Sequence, residues 1–122
     1  MATSTKTLAA GQEQRHEPDA EELGRVHAQQ IIDFVEAEGG HFKAAYDYRK
    51  RRWKCSIFVT DILVPLDLAP DNAELADLFM RVCKTTHLGP GSRHAIARLQ
   101  AKAMEVERQA AAAERAAMGA NN

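Results

Sequence analysis

The chain has 122 residues, 45% hydrophobic and 27% charged, with a formal net charge of -1 at pH 7. That length and balance fit one domain with a modest core and are those of a globular chain rather than a disordered or membrane-embedded one. No apolar run approaches the ~20 residues needed to span a bilayer, so no membrane segment is expected.

Residues 1–17 are rich in Thr, Ser, Gln, Gly and Glu, offer almost nothing to bury, and are expected to form a disordered tail. The first ten residues lack the apolar stretch of a signal peptide, which implies a cytoplasmic protein whose two cysteines, Cys55 and Cys83, are buried thiols rather than a disulfide. After Pro18 a helix is predicted: Asp19 caps it, Glu22 lies three residues on as in a capping box, and Leu23, Val26, Gln30, Ile31, Phe34 and Val35 mark one face. Gly39-Gly40 ends it.

From His41 to Val64 two periods compete. Phe42, Ala45 and Tyr46, then Cys55, Phe58, Val59, Ile62, Leu63 and Leu66, follow helical three-and-four spacing. Trp53, Cys55, Ile57 and Val59 instead alternate with Lys54, Ser56 and Phe58, the pattern of a strand. The reading favours a helix over His41–Arg52 and leans to helix beyond Trp53, because no second strand is evident to pair with it. The alternative is an α+β chain with a short strand or hairpin near residues 53–64.

Pro65 to Pro70 is a connector. Asp71, with Glu74, is predicted to cap a helix that buries Leu75, Leu78, Phe79, Val82 and Cys83. Gly89-Pro90-Gly91 breaks the chain and Ser92 caps a last helix. There Ile96, Leu99, Ala103, Val106, Ala110, Ala113 and Ala117 form a heptad seam that thins to alanine. The expected fold is mainly α: a small all-α helical bundle of four to five helices over residues 18–108, with residues 109–122 as an Ala-rich extension of the last helix that is prone to fray.

The most pointed chemistry lies in residues 41–54, where Lys43, Arg49, Lys50, Arg51, Arg52 and Lys54 stand against Asp47 alone, a local charge of +5 interleaved with aromatics. Cations neutralise phosphates and release their counterions, and Tyr46, Tyr48 or Trp53 can stack on bases. The bland account is an amphipathic helix whose cations form its solvated side, balanced by the acidic first helix. The leading functional expectation is a small non-enzymatic protein that binds nucleic acid, largely independent of sequence, through Lys43, Tyr48, Arg49, Lys50, Arg51, Arg52, Trp53, Lys54 and Arg93.

The competing expectation is an interaction module whose basic block meets an acidic protein surface and whose last helix self-associates, as a coiled coil, through Ile96, Leu99, Ala103 and Val106. The loop Gly89–His94 opens onto a helix N-terminus, which presents N–H groups to an anion, but a plain helix start capped by Ser92 is the favoured account. Cys83, His87, His41, Cys55 and His94 allow a zinc site to be drawn, yet lack paired Cys-x-x-Cys spacing. No nucleophile, P-loop or metalloprotease motif is present, and no cofactor is expected.

Overall fold

The computed structural model describes residues 19–86 and 89–120; the predicted disordered tail at residues 1–17 lies outside them. The element order is α1 (Ala20–Ala37), β1 (His41–Asp47), β2 (Arg52–Val59), β3 (Ile62–Pro65), α2 (Ala73–Cys83) and α3 (Pro90–Ala120). The strands form an antiparallel sheet in the order β1-β2-β3. The expected mainly α, four- to five-helix bundle is therefore wrong: the protein is α+β, with three helices and three strands in the described residues.

The reason lies in residues 41–59. Phe42 and Ala44 are buried while His41, Lys43 and Ala45 are exposed, and Cys55, Ile57 and Val59 are buried while Ser56 and Phe58 are only partly covered. Alternation thus prevails over the three-and-four spacing. The partner that the second strand was thought to lack is the stretch read as helix His41–Arg52. Phe42 faces Ile57, Ala44 faces Cys55 and Tyr46 faces Trp53 in that pairing. Neither turn carries glycine. β2 and β3 are joined by Thr60 and Asp61, both at positive φ (51° and 65°) as the tightest hairpin turn requires.

Helix α1 starts as expected: the Asp19 carboxylate accepts from the Glu22 N–H at 2.8 Å. Its core stripe is Gly24, Ala28, Ile31 and Val35, whereas Val26 and Gln30 face outward. Gly39 at φ 73° turns the chain into β1, and the Gly40 N–H donates to the Val35 carbonyl at 2.8 Å. Helix α2 is capped by Asn72 rather than Asp71: its side-chain oxygen accepts from the Leu75 N–H, while its Nδ2 donates to the carbonyls of Pro65 and Asp67. One side chain thereby stitches the end of β3 to the start of α2.

Helix α3 begins at Pro90, so Ser92 is not its cap; Ser92 is buried and its Oγ donates to the Thr86 carbonyl. α1 and α3 cross closely, with Gly24 against the backbone of Gly91 and Ala95. The core joins Ile31 and Val35 of α1, Ile57 of β2, Leu75 and Phe79 of α2, and Ile96 and Leu99 of α3. It lies between the helices and one face of the sheet. Among the described residues, no helix is long and apolar enough to cross a membrane.

Candidate nucleic-acid interface

Two adjacent strands and a four-residue loop gather the basic block into a hairpin. Asp47 closes β1, and its Oδ1 accepts from the backbone N–H groups of Arg49 (3.0 Å) and Lys50 (3.2 Å), the local bond that makes aspartate a turn former. Arg51 adopts φ 55° to bring the chain back into β2 at Arg52. Arg49, Lys50, Arg51 and Arg52 consequently crowd the tip, all exposed. The sequence reading favoured a helix here; in the hairpin Arg49 lies in the loop and Trp53 in the strand β2.

Behind the tip the cations lie on the opposite face from Tyr46 and Trp53. Lys43, Arg52 and Lys54 point to the face that carries no helix, with Lys43 and Lys54 as diagonal neighbours, because Lys43 faces Ser56 and Ala45 faces Lys54. The same open face presents His41 against Phe58, their rings 5.6 Å apart. On the helix side, beyond the reach of the core, Tyr46 packs edge-on against Tyr48 at 4.9 Å and Trp53 at 5.6 Å. Tyr48 is 82% exposed, Trp53 46% and Tyr46 38%, so these rings are not core residues. Tyr46, named from the sequence as a ring that could stack, is set beside Trp53 by the register of the two strands.

The electrostatic balance is decided by what fails to neutralise the tip. Among the described residues the ion pairs are Arg25–Glu22 within α1 and Arg108–Glu105 within α3; no described carboxylate lies within 4.0 Å of a hairpin cation. Glu22 is engaged by Arg25, which holds its carboxyl below the usual range. The proposed shielding of the basic block by the acidic first helix is not what these ion pairs do. Like charges held this close repel one another, and an incoming anion relieves that repulsion.

A cleft of about 260 Å³ opens beside the tip, lined by Asp47, Lys50, Arg52, Trp53 and Lys54 together with Asp67 and Gln100. β3 ends at Pro65, opposite Ser56, and the chain leaves the sheet after the Leu66 N–H donates to the Cys55 carbonyl at 3.0 Å. The Gln100 Nε2 donates to the Leu66 carbonyl at 2.7 Å and fixes that departure against α3. Asp67 and Gln100 were missed by sequence reasoning, since nothing local marks residues brought to the hairpin from another loop and helix.

The remaining predicted residues fall elsewhere. Arg93 is exposed on the first turn of α3, seven residues before Gln100, and no described hydrogen bond or ion pair ties it to the hairpin. The N-terminus of α3 is packed against α1, with Gly91 against Leu23. Ile96, Leu99 and Ala103 are buried in the chain's own core and Val106 is partly buried, so this seam is occupied intramolecularly. Among the described residues no group of three or more His, Cys, Asp or Glu is arranged to hold a metal; His87 lies outside them. Both cysteines are free thiols, and burial pushes Cys55 up and Cys83 up to about 11. Comparisons with family models, curated proteins and solved structures find no match.

Proposed function

We propose that the chain is a nucleic-acid-binding module that grips the sugar–phosphate backbone with its β1–β2 hairpin. The observation that carries this reading is the cluster of Arg49, Lys50, Arg51 and Arg52 on one hairpin tip, with Lys43 and Lys54 behind it and no described carboxylate paired to any of them. Arginine suits the task because its planar fork meets two phosphate oxygens at once. Tyr46, Tyr48 and Trp53 add ring faces beside that charge, where bases can stack without regard to identity. Such contacts fix the position of the protein on the polymer without reading its sequence.

The test is a salt titration of binding, followed by fluorescence anisotropy of labelled oligonucleotides. With about four phosphates neutralised, the logarithm of affinity falls with the logarithm of salt at a slope of about -3 to -4, and Arg49→Ala, Lys50→Ala and Arg51→Ala together reduce that slope by about 2 to 3. Binding that ignores both salt and the triple substitution rejects the proposal. Equally tight, salt-dependent capture of polyglutamate assigns the hairpin to an acidic protein surface instead.

A further inference from the structure

The end of β2 next to the hairpin is an unfinished sheet edge. Within an antiparallel strand, alternate residues direct both backbone groups to the same side. The Cys55 carbonyl faces the third-strand side, where it accepts from Leu66. Trp53, two residues back, directs its N–H and C=O to that side as well, but β3 pairs only with Ser56 to Val59. A donor and an acceptor of fixed geometry therefore open into the 260 Å³ cleft, beneath Lys50, Arg52 and Lys54 and beside the Asp67 carboxylate.

This combination selects a ligand by its chemistry. Three cations outnumber the two carboxylates of the lining, Asp47 and Asp67, whose Oδ1 atoms already accept N–H groups of the protein, and so favour an anion, while the exposed peptide edge asks for a planar group carrying both donors and acceptors. The volume is below the ~300–1,000 Å³ of sites for drug-sized molecules, which suits one ring-sized group rather than a length of chain. A nucleotide joins a phosphate to such a ring. In continuous duplex, however, the hydrogen-bonding edge of the base is spent on its partner and its faces on its neighbours, so only an unpaired nucleotide can enter.

We propose that the cleft at the open end of β2 seats one unpaired nucleotide, so that the protein takes single-stranded nucleic acid in preference to continuous duplex. This rests on the nucleic-acid reading above and gives it a substrate class. The backbone of the strand lies along Arg49 to Arg52, and one base turns inward so that its edge meets the Trp53 backbone groups and its face stacks on the Trp53 ring. Both DNA and RNA carry the required chemistry.

The experiment is anisotropy at fixed salt with single strands and duplexes of equal length, as DNA and as RNA, on the full chain and on Trp53→Ala and Trp53→Phe. Circular dichroism of each variant checks that it is folded. Single strands are expected to bind about tenfold more tightly than duplex, in line with the energy of stacking a base on an aromatic ring. Trp53→Ala should remove most of that preference, and Trp53→Phe should keep most of it. A preference for one sugar among single strands supports the seat and identifies its source. Equal, salt-dependent binding of single strands and duplex overturns the seat and leaves the charge-based reading standing; so does a single-strand preference that survives Trp53→Ala. Absence of binding to every oligonucleotide overturns both.

Discussion

Asp47 and Arg52 face each other across the last rung of the β1–β2 ladder, yet the Asp47 carboxylate is spent on the backbone N–H groups of Arg49 and Lys50. It organises the loop rather than neutralising the arginine opposite. Asp47→Ala is expected to lower stability by about 1 kcal/mol through loss of these turn bonds, with Asp47→Asn close to the parent because an amide oxygen accepts in the same place. Urea denaturation of the two variants checks this: equal midpoints for Asp47→Ala and the parent would refute it.

Arg51 occupies the left-handed region at φ 55°, where a side chain costs roughly 1 kcal/mol relative to glycine. Arg51→Gly is therefore expected to stabilise the fold by about 0.5–1 kcal/mol while weakening nucleic-acid binding through loss of a cation. Opposite movements of the thermal midpoint and of affinity are the signature.

Gly24 of α1 lies where an added methyl group would meet the Ala95 nitrogen and the Gly91 oxygen, each at 2.9 Å, and the Cβ of His94. Two helix backbones cannot part there without opening the core. Gly24→Ala is expected to cost about 3 kcal/mol, the upper end for overpacking. Gly39→Ala meets no atom within 4 Å, but strains a φ of 73° and should cost about 1–2 kcal/mol. Chemical denaturation should rank the two in that order.

Cys83 supplies a pH dependence. Its thiol is pushed by burial from 9.0 up to about 11, so the folded chain holds the proton more tightly than the unfolded chain does. The associated stability is intact below pH 9 and is lost progressively as pH rises toward 11. A Cys55→Ala protein, carrying Cys83 as its single cysteine, should show thiolate absorbance rising near pH 11 when folded and near pH 9 in denaturant. A native transition at the ordinary value would contradict the burial.

Local signals were legible where one short stretch holds all the information. The Asp19 cap, the glycine stop at Gly39-Gly40, and the Leu75, Leu78, Phe79 stripe appear where the sequence places them. The sheet was not legible, because its turns, Tyr48–Arg51 and Thr60-Asp61, lack the glycine that usually announces a hairpin, and β1 contains Ala44 and Ala45 in place of β-branched residues. With β1 hidden, β2 had no visible partner. The cations of the candidate site were identifiable as a run, but their division from the aromatics depends on register, which single-sequence periodicity does not contain. The cleft was invisible for a different reason: Trp53, Asp67 and Gln100 meet only through tertiary packing.

Pro65 and Asn72 carry a consequence for life at high concentration. β3 is the outermost strand on its side of the sheet, and proline offers no N–H while its carbonyl is occupied by the Asn72 amide at 2.9 Å. With Ile62 and Val64 turned to β2, Leu63 alone presents both backbone groups outward from that strand. A strand from a neighbouring molecule finds one residue's worth of hydrogen bonds and then nothing to zip along, so fibrillar growth from this margin is blocked at its first step.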